Sequence, residues 1–298
     1  MTEPVVLAID GGNSKTDLAL VRANGGLLDA GHRAVGLCNV AIGLQRQIAP
    51  LLGVEPQRVL VDQVGLNHLT WVRAVHVDRR DVLPELLADH GDELAESADL
   101  PRDLLERLGA IPSYYLHYFY KHDQVLDAQR TGKPRAAEVA EIERELLELY
   151  RDPTLTTKPK LLERRGGAYY SEAATQLVAS LATGDGDVQV VDVRNNGTLK
   201  GLADDDVVEV PARIEAAGPK PIEQEPLAPE LLGLVQHVAA YERLAVQAAV
   251  TGDRDVVYKA LLAHPLIGQV PQVEELTESL LAEGKEHLPQ FEGREVTA

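Results

Sequence analysis

Alternating short apolar and polar runs open the chain. Residues 5–30 (VVLAIDGGNSKTDLALVRANGGLLDA) carry turn signals at Gly11-Gly12 and at Asn24-Gly25-Gly26, which predicts a β-hairpin or meander. HRAVGLCNV (32–40) predicts a further apolar strand with Cys38 and Asn39 near its end. In 42–53, Leu44, Ile48 and Leu51 fall at helical spacing and Gly53 supplies the stop. Residues 61–78 read as strand and 81–96 as helix. Residues 136–152 form an amphipathic pattern with Val139, Ile142, Leu146 and Leu149 on one side, ended by Asp152-Pro153. A helix over 171–186 closes on a Gly-rich turn, and 188–202 reads as a strand followed by a polar loop. A long buried helix is predicted at 231–250 and a terminal one at 273–288. Pro219–Pro229 is linker-like and reads as a loop inside a domain.

The charge balance narrows the partners. Among 298 residues, 47 are Asp or Glu against 29 Lys or Arg, a formal net charge of -18. Such a surface repels phosphate backbones, so nucleic acid and anionic membranes are disfavoured, while a few arginines could still hold one phosphorylated small molecule. The single cysteine, Cys38, excludes an intrachain disulfide and points to a reducing compartment. No apolar run reaches membrane-spanning length and no signal pattern opens the chain. The expectation is a cytoplasmic protein.

Two groups of residues could carry chemistry. Asp10, Gly11, Gly12, Ser14, Lys15 and Thr16 follow the first strand, where glycines let backbone N–H groups approach phosphate oxygens. This stretch resembles the first phosphate loop of N-acetylglucosamine-kinase-like ATPases, and the likeness ends by residue 30. A short Gly-rich hairpin needs no nucleotide, and no second phosphate loop follows. The other group is Gly36-Leu37-Cys38-Asn39, Gly65-Leu66-Asn67-His68 and Arg165-Gly166-Gly167-Ala168-Tyr169-Tyr170-Ser171. Singly, each has a plain explanation: a buried small hydrophobe, a core histidine, a packing tyrosine.

Together, and with Tyr114–Tyr120, Arg194-Asn195-Asn196-Gly197, Val208–Pro211, Tyr241-Glu242-Arg243 and Ala260–Leu266, these motifs resemble the family 4 glycoside hydrolases of the 6-phospho-β-glucosidase branch over residues 31 to about 293. The resemblance implies cleavage by oxidation, elimination, addition and reduction with NAD and a divalent metal, usually Mn²⁺, in place of paired carboxylates. Cys38 and His68 match metal ligands, and a thiolate plus an imidazole leave positions open for sugar oxygens. Tyr170 matches the base, since a neighbouring cation can lower a tyrosine pKa. Asn39 and Asn67 match substrate-binding positions, with Arg194 and Arg165 as further substrate or phosphate contacts. Ala41 replaces the proline the family usually has after Cys-Asn-x.

The implied fold is α/β, becoming α+β in the C-terminal part. It combines a remnant of a Rossmann-type sheet, a large lactate/malate-dehydrogenase-like C-terminal domain and an N-terminal β-hairpin. The implied domains are a kinase-like hairpin segment at 1–30, the last strand and helix of a truncated NAD-binding domain at 31–58, and the catalytic domain at 59–298. No G-x-G-x-x-G element is present, so the cofactor-binding half is expected to be absent, NAD binding to fail and turnover to be impaired. The hairpin could instead extend the sheet with two or three strands. The implied partner is a phosphorylated β-glucoside or cellobiose-like sugar phosphate, in a homo-oligomer (dimer or tetramer). The alternatives are a non-catalytic module that binds metal or sugar phosphate or mediates oligomerisation, and thirdly an N-acetylglucosamine-kinase-like ATPase.

Overall fold

The computed structural model describes residues 5–11, 16–22, 35–166 and 169–291, with the strands before Cys38 described by their backbone. The apolar runs at the start become strands β1 (Val5–Gly11), β2 (Thr16–Arg22) and β3 (Val35–Leu37). Of the predicted turns, Gly11 falls in β1, whereas Gly12 and Asn24–Gly26 lie outside the described residues. Helix α1 (Asn39–Leu52) begins three residues earlier than the apolar spacing suggested, because the Cys38 side chain caps it. It ends where expected, at Gly53 with φ 64°. A Cβ there meets nothing within 4 Å, so Gly53→Ala costs only backbone conformation. We expect about 1 kcal/mol, read as a lower urea midpoint with unchanged slope.

The stretch 61–78 is two strands rather than one. β4 (Val59–Leu66) and β5 (Leu69–Val77) pair antiparallel and turn over in the two residues Asn67 and His68. Gly65 makes this tight return possible: its φ is 148°, and a Cβ there would sit 2.1 Å from the Leu69 carbonyl oxygen. The register shifts between Asp62 and Gln63, a bulge of the kind that re-aims a side chain. Next come β6 (Arg80–Asp81), α2 (Leu83–Ala98), α3 (Arg102–Leu108) and β7 (Ile111–Pro112). The helices α4 (His117–Tyr120), α5 (His122–Thr131), α6 (Arg135–Tyr150), α7 (Leu162–Arg165) and α8 (Tyr170–Thr183) follow. On α6 the inner face is narrower than the apolar pattern: Ile142 and Leu146 are buried, whereas Leu149 is exposed.

β8 (Val188–Arg194) returns as predicted, while β9 (Val207–Glu215) and β10 (Gly218–Pro221) occupy positions with no strand expectation. The ten strands form one sheet in the order β1-β2-β3-β8-β9-β4-β5-β6, with β10 on β9 and β7 on β5. The N-terminal hairpin does extend this sheet, since Asp17 and Leu18 of β2 pair with Gly36 and Val35. Beneath the sheet, Ile48 and Ala49 of α1 pack with Val59, Val75, Leu86, Leu94 and Leu105 in one core.

The chain divides into two compact units. The first holds residues 1–193 and 209–222, and the second residues 194–208 and 223–298. The second contains α9 (Pro229–Thr251), α10 (Arg254–Ala263) and α11 (Val270–Glu283). α9 is long as expected but not buried throughout. Leu231, Leu234, Val235 and Ala239 face inward, whereas Val246 and Val250 are 64% and 78% exposed. α10 packs along α9. Arg243 of α9 donates from Nε (2.7 Å) and from a terminal nitrogen (2.5 Å) to the buried Asp206 carboxylate, tying the 195–206 loop to the helix. No helix among the described residues is long and apolar enough to cross a membrane.

Candidate functional site

The first unit gathers several predicted residues around the start of α1. Cys38 is buried at the N-cap, and its Sγ accepts from the Ala41 N–H at 3.4 Å and from the Gln63 amide at 3.3 Å. The same Gln63 amide donates to Glu209 Oε1 at 2.6 Å, and Cys38 and Glu209 also hydrogen-bond each other. Sheet pairing explains the convergence: Glu209 lies opposite Gly65, and Asp192 opposite Gly36. Asn67 donates to Asp192 Oδ2 at 3.4 Å.

A helix N-terminus ordinarily lowers a thiol pKa. Here burial and the neighbouring acids win. Burial, then the charge of Glu209, push the Cys38 thiol well above its ordinary value, against the Ala41 N–H, with Asp192 adding to the rise. Burial likewise raises Glu209, helped by Asp192, to about 8.

His68 occupies the hairpin turn with φ 65°. Burial lowers its pKa, so the ring is held neutral, the form that ligates metals. Its Nδ1 is buried without a hydrogen-bond partner among the described residues, and its ring lies 4.3 Å from that of Tyr115. Tyr170 opens α8. Burial is the main cause that raises its pKa, followed by the charges of Tyr115, Cys38 and Glu209. The protein's own groups therefore oppose a tyrosinate, and only a local positive charge would reverse that.

The remaining predicted residues are less gathered. Asn39 is the first residue of α1, beside Cys38. Arg165 ends α7 and is committed to Glu143, with Nε at 3.0 Å and a terminal nitrogen at 2.6 Å. Arg194 is exposed at the end of β8 and belongs to the second unit. Asp10, Gly11 and Thr16 lie at the facing ends of β1 and β2, where Gly11 pairs with Thr16. Gly12, Ser14 and Lys15 fall outside the described residues. Sequence reasoning missed Gln63, Asp192 and Glu209, and treated Tyr115 only as part of an aromatic run. A lone acid inside the apolar run Val207–Ile214 was the available signal for Glu209.

A buried thiol at a helix N-cap, a neutral imidazole in a hairpin turn and a tyrosine at a helix start are not the paired carboxylates of a usual glycosidase. The family 4 glycosyl hydrolase C-terminal domain covers residues 63–267, and the chain belongs to that family. Among relatives, it is 37% identical over 270 residues to the "Probable 6-phospho-beta-glucosidase" of Bacillus subtilis, covering 87% of this chain and 61% of that protein. The 6-phospho-beta glucosidase of Thermotoga maritima, solved with NAD and glucose-6-phosphate, superposes with a TM-score of 0.79 at 33% identity, over 85% of this chain and 61% of that one. A second structure of that enzyme, with manganese, NAD⁺ and glucose-6-phosphate, gives 0.78 at 31% identity over 85% and 60%. The fold is thus the mixed α/β fold of the family's C-terminal domain, with a partial sheet. The chain spans 61% of the length of the Bacillus relative.

The residues fit the manganese and the dinucleotide bound by the Thermotoga maritima enzyme unequally. The unpartnered nitrogen of His68 and the thiol of Cys38 suit a borderline divalent cation. They would supply two protein ligands, and the described residues contain no cluster of three or more His, Cys, Asp or Glu arranged for a metal. A dinucleotide finds no such fit. β3 pairs antiparallel with both β2 and β8, and no Gly-rich fingerprint follows any strand.

Proposed function

We propose that this chain carries the metal- and base-bearing part of a 6-phospho-β-glucosidase acting on a phosphorylated β-glucoside, with residues 31–58 and 59–298 as the family's two segments. The observation that supports this most is the buried, unpartnered Nδ1 of His68, held in a hairpin turn of the unit that also contains Cys38 and Tyr170. A divalent cation bound there would polarise substrate oxygens and acidify the proton on sugar C2. Cys38 and His68 would hold it, and the carboxamides of Asn39 and Asn67 would orient the sugar hydroxyls. Tyr170 would take the C2 proton on its phenolic oxygen. Tyr115, whose ring lies 4.3 Å from that of His68 at a tilt of 40°, is a second tyrosine beside the proposed ligand. For the phosphate, Arg165 is a poor candidate, since it is already paired with Glu143.

On this reading the protein acts in the cytoplasm as a homo-oligomer. Its reaction needs a hydride acceptor that the described residues do not hold. The phosphate-loop reading of Asp10–Thr16 rests on the hairpin pairing alone and is not preferred. The test is an assay of the purified chain with NAD, Mn²⁺ and an aryl 6-phospho-β-glucoside. We expect no turnover above the metal-free blank. Robust NAD-dependent cleavage would show that the chain binds NAD after all and sink that part of the reading.

A further inference from the structure

A ladder of rings leads away from the candidate site. Tyr115, whose ring meets His68, lies edge-on to Tyr114 with 6.0 Å between centroids. Tyr114 in turn meets His117 edge-on at 4.3 Å, and His117 lies 4.2 Å from Tyr118 at a tilt of 46°. Tyr114, Tyr115 and Tyr118 are 50%, 45% and 36% exposed, whereas His117 among them is 4% exposed. The histidine is the buried rung of the ladder.

A buried imidazole needs partners for its ring nitrogens. Nδ1 of His117 is buried and makes no hydrogen bond among the described residues. Asp99 Oδ2 stands 3.7 Å from it, too far for a hydrogen bond, and a shift of about 1 Å would make one. Asp99 is well anchored to receive it. It closes α2 in the left-handed conformation, with φ 52°. Lys121 Nζ donates to its Oδ1 at 2.6 Å and to its carbonyl oxygen at 3.1 Å.

The charged and titratable groups facing His117 are thus Asp99 at the end of α2, Lys121 just past α4, and the phenols of Tyr114 and Tyr118. Burial is the main cause that lowers the His117 pKa, Asp99 opposes it and Lys121 adds to it. The ring is neutral near pH 7 and gains its proton as the medium turns acid. Both ring nitrogens are then donors, and the pull toward Asp99 strengthens. A turn of the ring toward Asp99 breaks its edge contact with Tyr114, the neighbour of Tyr115 in sequence and in space.

We propose that His117 is a positioning residue: protonation draws its Nδ1 onto Asp99, and the displacement passes through Tyr114 to Tyr115 and so to the ring of His68. Neutral His117 holds the tyrosines in the observed arrangement, and protonated His117 releases them. The bearing of this movement on catalysis rests on the function proposed above. The movement itself does not.

The test is an NMR pH titration of the metal-free full chain, labelled in its histidine and tyrosine rings, from about pH 8 to about pH 4.5. We expect His117 to titrate below the ordinary 6.5 and the Tyr114 and Tyr115 ring signals to step at the same midpoint. Asp99→Asn should weaken proton binding by His117 about 3-fold, and Lys121→Met should strengthen it about 3-fold, with the tyrosine step following in each direction. These opposite shifts separate His117 from His68, whose own titration neither variant addresses. His117→Phe keeps a ring between Tyr114 and Tyr118, so it should retain the fold and lose the step. A His117 that stays neutral throughout would overturn the proposal. So would tyrosine signals that ignore its titration, or a step that persists in His117→Phe. No readout uses metal or substrate, so a chain that shows the step yet takes up no Co²⁺ keeps the positioning role and refutes the metal reading. A chain that takes up Co²⁺ without the step does the reverse.

Discussion

Replacing Cys38 by alanine is expected to abolish tight uptake of Co²⁺ or Mn²⁺ by the chain, a loss of at least about 100-fold, more than removal of a supporting second-layer residue brings. Only His68 would remain of the ligands proposed here. With Co²⁺ the readout is the near-ultraviolet thiolate-to-metal band, which the wild-type chain should show and both Cys38→Ala and Cys38→Ser should lack. The two variants separate ligation from folding. Sγ caps α1 by accepting the Ala41 N–H, so alanine also removes a cap, at about 1 kcal/mol. Serine restores a cap acceptor but offers a hard, protonated oxygen, so it should recover stability without the band. The affinity should also rise steeply with pH. Burial and Glu209 keep the thiol protonated well above its ordinary value, and the metal must displace that proton. Each pH unit below the thiol pKa then adds about 10-fold to the affinity, and more where Glu209 loses its proton in the same event. A chain in which Cys38→Ser keeps the thiolate-like band, or in which metal affinity is flat with pH, would remove Cys38 from the site.

Much of this arrangement was readable from residue order, and the reasons for the rest are physical. α1 was visible because its apolar spacing and Gly53 stop are local. Its start was not, because a thiol is a rare cap and nothing nearby advertises it. The β4–β5 return went unseen because Asn67-His68 lacks the Gly of a usual hairpin turn. The glycine that permits the turn is Gly65, inside the strand, and it acts through the carbonyl of Leu69. β9 was hidden by Glu209 and Pro211, which lower strand propensity. The strand holds because both neighbours pair with it and bury its acid. The ligand pair and the tyrosine came from motif likeness, whereas Gln63, Asp192 and Glu209 came only from pairing across the sheet, between segments more than 100 residues apart. Which tyrosine faces His68 was likewise a tertiary matter, and the ring of Tyr115 is the one in contact.

The buried acid cluster also makes the stability of the metal-free chain depend on pH in an unusual direction. Glu209 is raised from an ordinary 4.5 to about 8 by burial first and by Asp192 second, against the hydrogen bonds from Gln63 and Cys38. In the folded chain the carboxyl therefore keeps its proton between about pH 4.5 and 8, where the unfolded chain has lost it. The folded state binds more protons in that window, so stability is fully present below about pH 4.5 and declines as pH rises through about 8. The loss is on the order of 5 kcal/mol over the whole window, a large share of what holds a domain together. Above pH 9 the thiol of Cys38, raised in the same sense, extends the decline. Exposed carboxylates such as Asp78, whose partner Arg58 lowers its pKa, act oppositely but below about pH 4, outside the window. Glu209→Gln isolates the effect because it keeps the shape of the protonated acid and an oxygen for the Gln63 amide. Urea midpoints measured with excess chelator should show the variant equal to or slightly less stable than wild type near pH 5. It should be more stable by a few kcal/mol near pH 8.5. Parallel pH profiles for the two chains would mean that Glu209 is ionised in the folded state, stabilised by contacts other than those with Gln63 and Cys38.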